Sequence, residues 1–289
     1  MSQQTKLYVF GEVLFDCFPD GTAVLGGAPF NVAWHLAALG DAPWLVSRIG
    51  EDELGTRIEQ AMSEWGMTDE ALQRDAEHPT GRVAITLQDG DASYDIEFGA
   101  AYDYIDPAGV PAVAADDVLY HGSLAIRHDI SRSALDACLQ SNPRVFLDVN
   151  LRDPWWQNVP WDRHLRGVHW AKMNEHELAM LGFDHGRLRD NMRAFCARHE
   201  VAQLIVTRGG DGALVLDQAG HFHEAGPPPV KKAVDTVGAG DSFSAIYLHG
   251  LLQGWDTETI IDRAQQFALE IIAIRGATSK NRDLYRPFQ

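Results

Sequence analysis

Asp235-Thr236-Val237-Gly238-Ala239-Gly240-Asp241-Ser242-Phe243 is the stretch from which the rest of this chain can be read. Gly238, Ala239 and Gly240 set small residues between two carboxylates, and an amphipathic run of Phe243, Ile246, Tyr247 and Leu251 follows at once. That is the layout of a backbone anion cradle at a helix N-terminus, where orphan N–H groups and the positive end of the dipole favour a phosphate. A carboxylate at the mouth of such a cradle repels its ligand unless the chemistry needs it. Asp241 is placed to orient an acceptor hydroxyl and take its proton as a phosphoryl group arrives. The plainer alternative is an ordinary glycine-rich helix start. The chain has no Gly-x4-Gly-Lys-Ser/Thr segment and neither a His-Arg-Asp nor an Asp-Phe-Gly kinase signature.

Outward from the cradle, short apolar runs alternate with amphipathic ones. Strands are expected at 7–10, 44–49, 118–120, 145–149, 168–173, 204–206 and 213–216, with 13–18 extended. Helices are expected at 29–39, 51–65, 131–139, 175–181, 187–199, 239–252 and 257–274. This rhythm implies a mostly parallel sheet covered by helices on both faces, with ligands beyond the strand C-terminal ends. One segment breaks it. Val83, Ile85 and Leu87 alternate, Asp89-Gly90-Asp91 turns the chain, and Tyr94, Ile96 and Phe98 alternate on the return. That reads as a hairpin outside the main sheet. Pro227-Pro228-Pro229 reads as a stiff loop.

With 289 residues, 45% of them hydrophobic, the chain can bury a large core. Its net charge of −17, from 41 acids and 24 bases, argues against a nucleic-acid partner, which needs a basic footprint. Cys17, Cys138 and Cys196 are odd in number and far apart, as expected of a reducing cytoplasm. No zinc-ligand spacing occurs among the 12 His, and no apolar run reaches membrane-spanning length.

Other polar residues fall at strand ends, each with two readings. Asp16 and Asn31 flank the Gly26-Gly27 turn; they can grip paired sugar hydroxyls, or simply open a turn and cap a helix. Asp148-Val149-Asn150-Leu151-Arg152 alternates polar residues on one strand face; Arg152 is free to reach a ligand, or pairs with a surface acid. Asn174-Glu175-His176-Glu177 is a metal-carboxylate element or an Asn-capped helix. Thr207-Arg208-Gly209-Gly210-Asp211-Gly212 is a nucleotide loop or a β-turn.

Asp235 to Asp241 resembles the C-terminal signature of the PfkB carbohydrate kinases, in the ribokinase-like superfamily. Gly26-Gly27-Ala28-Pro29-Phe30-Asn31-Val32-Ala33, followed by His35-Leu36-Ala37-Ala38-Leu39-Gly40, resembles their N-terminal signature. The pair is far more specific than either half, and with the intermediate landmarks it covers nearly the whole chain.

The resemblance implies an α/β, ribokinase-like fold over 1–289, a central mostly parallel sheet sandwiched by helices. A small β lid would come from about 12–25 and 80–103. It implies transfer of the γ-phosphoryl group of Mg·ATP to a primary hydroxyl of a free sugar. Asp241 would be the base and Gly238, Ala239 and Gly240 the anion hole. Asp16, Gly27, Asn31 and Arg152 would hold substrate. Asn174, Thr207, Gly209 and Gly212 would serve the nucleotide, and Glu177 would hold Mg²⁺ through water. Asp235 would lie at a K⁺ site, near the late pair Gly276-Ala277. Phe15 to Gly21 and Arg152-Asp153-Pro154-Trp155-Trp156 look most like fructokinases, with Ile96 and Phe98 covering a hexose. The expected partners are ATP and a small sugar, with neither nucleic acid nor membrane, and a second copy joined through the lid. Two rivals remain: a nucleoside or aminoimidazole-riboside kinase, and a non-catalytic sugar or nucleotide sensor.

Overall fold

Leu7, Tyr8, Val9 and Phe10 are all buried, as a strand covered on both faces must be, and they form β1 of the first of two compact units, 1–143 and 144–289. The computed structural model describes residues 5–88, 91–226 and 233–289. Asp89 and Gly90 of the expected hairpin turn and the Pro227–Pro229 loop lie outside them. Among the described residues no helix is long and apolar enough to cross a membrane.

In the first unit β1 (Leu7–Phe10) is followed by β2 (Leu14–Cys17), β3 (Ala23–Gly26), α1 (Ala28–Leu39), β4 (Trp44–Gly50), α2 (Glu53–Trp65) and β5 (Leu72–Asp75). Then come β6 (Gly81–Gln88), β7 (Asp91–Ile96), β8 (Val118–His121) and α3 (Asp129–Leu139). Strands β8, β1, β4 and β5 pair in that order, all parallel. Helices α1 and α2 are held together through their tryptophans: Trp34 and Trp65 stack 4.5 Å apart, and Trp65 Nε1 donates to the Trp34 carbonyl.

The hairpin stands apart from that sheet, as its alternating pattern requires. Strands β3, β2, β6 and β7 form a separate four-stranded sheet. Its outer pairs are antiparallel, and β2 runs parallel to β6. Val83 and Ile85 are buried, whereas Tyr94 is 59% and Phe98 53% exposed. Beyond the end of β7, Arg127 fastens the chain. It donates to the Glu97 carbonyl, to Tyr102 Oη and to both Asp103 oxygens, at 2.6–2.9 Å. Asp103 also accepts from the backbone of Gly99 and Ala100.

The second unit runs β9 (Arg144–Asp148), α4 (Trp161–Leu165), β10 (Trp170–Asn174), α5 (Glu175–Met180), α6 (Leu188–His199), β11 (Gln203–Thr207), β12 (Ala213–Leu216), β13 (Phe222–Ala225), α7 (Ala239–Gln253) and α8 (Thr257–Ile272). Strands β9, β10 and β11 pair in parallel, and β12 and β13 add antiparallel at the edge. Helix α8 packs on both α7 and β13. The fold is thus a mostly parallel sheet with flanking helices and a small separate sheet, as expected.

Three strands escape the sequence reading: β3, β5 and β13. All are four-residue edge strands with no more than two buried residues each, so the pattern of burial that betrays a central strand is missing.

Candidate active site

Gly238 opens α7 in the left-handed conformation, at φ 80°, which only glycine adopts without strain. A Cβ there would also meet the Ala277 Cα at 2.5 Å, so the late pair Gly276-Ala277 leaves room for nothing larger. Asp241 lies half-buried in the first turn of α7. The cradle read from the sequence is therefore a real helix N-terminus whose entry is fixed by close backbone packing.

Asp235 ties the cradle to that late segment. One of its carboxylate oxygens accepts from Val237 N and the other from Gly276 N, both at 3.0 Å. Its backbone N–H bonds the Ile272 carbonyl at the end of α8.

Beneath the cradle is a cluster that the sequence reading missed. Lys172, in the middle of β10, is 6% exposed and pairs with both oxygens of Asp148 at 2.8 and 3.0 Å. Asp148 Oδ2 also accepts from Ser244 Oγ at 2.6 Å. Burial works against the Lys172 charge, but Asp148 beside it, with Asp241 and Glu177 further off, holds its pKa above the usual lysine value. The sequence signal was there: a lone cation among Ala171 and Met173, both fully buried.

Two expectations change in detail. β9 stops at Asp148, so Asn150 and Arg152 leave the sheet and the three polar residues do not share a strand face. Asp148 is buried and Arg152 exposed. Among the described residues no acid pairs with Arg152, so the surface ion pair is not formed and the guanidinium is available to a ligand.

Asn174 and Glu177 form a reciprocal capping box. Asn174 Oδ1 accepts from Glu177 N at 2.8 Å, and Glu177 Oε2 accepts from Asn174 N at 2.9 Å. Glu177 Oε1 takes Leu151 N at 3.2 Å. Burial pushes the Glu177 carboxyl above its usual range, against the pull of the Asn174 N–H. The capped-helix reading is thus realised. Each oxygen keeps a further lone pair, so the carboxylate still fits Mg²⁺ held through water, an ion that takes few protein carboxylates.

Thr207 ends β11, and the following turn carries Gly209 at φ 55° and Gly212 at φ 90°. Gly212 passes so close to the Ala225 carbonyl that no Cβ fits. Arg208 in this turn is bound to Glu224.

The remaining predicted residues lie in the first unit. Asp16 sits half-buried on β2, its carboxylate 3.6 Å from the Cβ position of Gly26. Gly27 caps α1 at φ 104°, where a Cβ would meet the Glu12 carbonyl at 2.7 Å. Asn31 is buried in the first turn of α1, its N–H bonded to the Gly27 carbonyl. The glycine turn thus brings Asp16 and Asn31 to its two flanks. Cys138 and Cys196 take no part: burial pushes both thiols up to about 12, far from a nucleophile's range.

Known proteins resemble this chain over almost its full length. The family model described as pfkB family carbohydrate kinase matches residues 6–284. A fructokinase from Klebsiella pneumoniae is 31% identical over 264 residues, 85% of this chain and 84% of that protein. An aminoimidazole riboside kinase from Salmonella typhimurium is 28% identical, over 89% of this chain and 84% of that protein. Among solved structures, fructokinase from Vibrio cholerae O395 in its fructose, ADP and calcium ion bound form has a TM-score of 0.85 at 23% identity, covering 99% of each chain. At that identity the likeness establishes the fold alone.

Proposed function

The chain belongs to the pfkB family of carbohydrate kinases, and from that premise we propose that it transfers the γ-phosphoryl group of Mg·ATP to a primary hydroxyl of free fructose. The observation that carries the reading is Asp241 in the first turn of α7, directly after a cradle whose Gly238 is locked against Ala277. A helix N-terminus that favours anions, followed at once by a carboxylate, suits a phosphoryl acceptor reaction better than simple phosphate binding.

Asp241 orients the acceptor hydroxyl and takes its proton. The N–H groups of Gly238, Ala239 and Gly240 meet the charge on the transferring group. Arg152, exposed and without an acidic partner among the described residues, adds a positive charge for the same group. Asn174, Thr207, Gly209 and Gly212 serve the nucleotide, the glycines letting it lie against backbone. Glu177 would hold Mg²⁺ through water, and the ion when bound neutralises phosphate charge. The small sheet of β2, β3, β6 and β7 acts as a lid, with Ile96 and Phe98 excluding water from the sugar.

Asp16, Gly27 and Asn31 grip the sugar. Asp16→Ala or Asn31→Ala is expected to weaken fructose binding by about 1–3 kcal/mol, the cost of a lost hydrogen bond to a buried hydroxyl. ATP affinity should stay the same. Calorimetry with each ligand checks this, and unchanged sugar affinity in both variants removes the assignment.

Asp235 and Gly276 would flank a monovalent cation that orders the cradle without touching substrate. Exchanging Na⁺ for K⁺ at equal ionic strength is expected to raise kcat severalfold. Equal rates in K⁺-free and K⁺ buffers exclude it.

A second acceptor is favoured by one finding, the similarity to aminoimidazole riboside kinase. The deciding assay offers fructose, ribose, ketodeoxygluconate, adenosine and aminoimidazole riboside with Mg·ATP and compares kcat/KM. A site built to bond one hydroxyl rejects analogues lacking it, so the preference should be steep. A riboside that wins by a wide margin overturns the fructose reading and leaves the kinase. Binding without turnover of any acceptor indicates a sensor.

A further inference from the structure

Lys172 is in the wrong place for an ordinary lysine. Its neighbours on β10, Ala171 and Met173, are fully buried, and the strand lies between β9 and β11. Taking an ammonium and a carboxylate out of water is so costly that a well-packed apolar pair at the same positions is usually as stable or more so. The Lys172–Asp148 pair, directly opposed across β10 and β9, is therefore poorly explained by stability.

What the pair touches offers a better reason. Ser244, fully buried on α7, donates its proton to Asp148 Oδ2 at 2.6 Å, with a weaker branch to the Gly240 carbonyl at 3.0 Å. From the other side, the Lys172 ammonium lies only 3.2 Å from the point where a Cβ would stand on Gly240. A continuous path thus runs from the middle of β10 through the last residue of β9 into the first turns of α7, and both its ends meet the same glycine. Gly240 is the third residue of the cradle and the one before Asp241.

We propose that Lys172, Asp148 and Ser244 are positioning residues that anchor Gly240 to the sheet, and so fix the cradle N–H groups and Asp241 relative to each other during phosphoryl transfer. The arrangement joins a rigid strand pair to the most demanding point of the site. Within the pair, the Lys172 ammonium is the end that lies toward Gly240. A preorganised donor set lowers a barrier only if it does not have to reorganise as charge develops. The tie to two sheet strands supplies that rigidity.

The inference rests on the cradle receiving the phosphoryl group, so wild-type turnover with the best acceptor of the panel is measured first; its absence counts against that reading and not against this one. The test is then the charge-neutral pair Lys172→Met with Asp148→Leu, which should fold at least as stably as the parent. Its kcat is expected to fall on the order of 10- to 100-fold, the scale of small misplacements and of lost supporting contacts. Calorimetric affinities for ATP and for the sugar should stay within about threefold, since these side chains are buried beneath the cradle. Ser244→Ala keeps the ion pair and cuts only the link to α7; it should lower kcat about tenfold with both affinities unchanged. A purely structural pair would leave the rate of a folded variant untouched. Native kcat in either folded variant therefore overturns the inference, as does an equal loss of ligand affinity.

Discussion

Asp241→Asn is expected to lower kcat by roughly 10²–10⁴, the usual contribution of a positioned acid–base group. Asparagine keeps the size of the side chain and can still hydrogen-bond an acceptor hydroxyl, but it cannot take the proton. Its place in the first turn of α7 matters to the argument. A helix N-terminus favours the ionised carboxylate and so makes it a weak base. That suits a loose transition state, in which the hydroxyl keeps its proton until late and alignment counts for more than early deprotonation. The variant should therefore retain ATP and sugar affinities while losing turnover. Steady-state rates with the preferred acceptor, set beside calorimetry of both ligands, separate the two. A folded variant with near-native kcat removes Asp241 from the chemistry. A variant that loses sugar affinity in step with kcat makes it a binding residue.

The cradle was legible in the sequence because its requirements are local. Glycine at φ 80°, a helix start and a carboxylate in the first turn all fall within nine consecutive residues. The central strands were legible for a similar reason: full burial on both faces leaves short runs such as Leu204-Ile205-Val206 with no polar interruption. The support beneath the cradle was not. Asp148, Lys172 and Ser244 come from three elements, and nothing in their spacing says that they meet; only a lone lysine inside an apolar strand hinted at it. Glu177 shows a different limit. Its sequence admitted a capped helix or a metal carboxylate as rivals, yet the capping box leaves acceptor capacity on both oxygens, so one side chain can do both. Arg152 is exposed and has no acidic partner among the described residues, a surrounding that no sequence records.

Arg127→Met is expected to destabilise the protein by about 3–5 kcal/mol, the cost of stripping the partner from a buried carboxylate. Asp103 is fully buried, and the Arg127 side chain is 1% exposed. Two backbone N–H groups, from Gly99 and Ala100, stay with Asp103 after the change, but its countercharge is gone. Burial alone would depress the guanidinium pKa; the bond to Asp103 more than offsets it and raises the Arg127 pKa above its usual value. Arg127→Met combined with Asp103→Asn removes the orphaned charge and should recover a good part of the loss. Chemical denaturation of the parent, the single and the double variant measures this, and a single variant within about 1 kcal/mol of the parent refutes it. The double variant has a second use. It restores charge balance but not the bond from Arg127 to the Glu97 carbonyl, which holds the chain just beyond β7. Arg127 also lies over the Phe98 ring, with its guanidinium carbon 5.2 Å from the centroid. If the small sheet closes over the sugar, this fastening sets where Phe98 stands. The double variant should then be clearly more stable than the single one yet bind fructose more weakly than the parent, with ATP affinity unchanged. Native sugar affinity in that variant would leave Arg127 a purely structural residue and take Phe98 out of the lid.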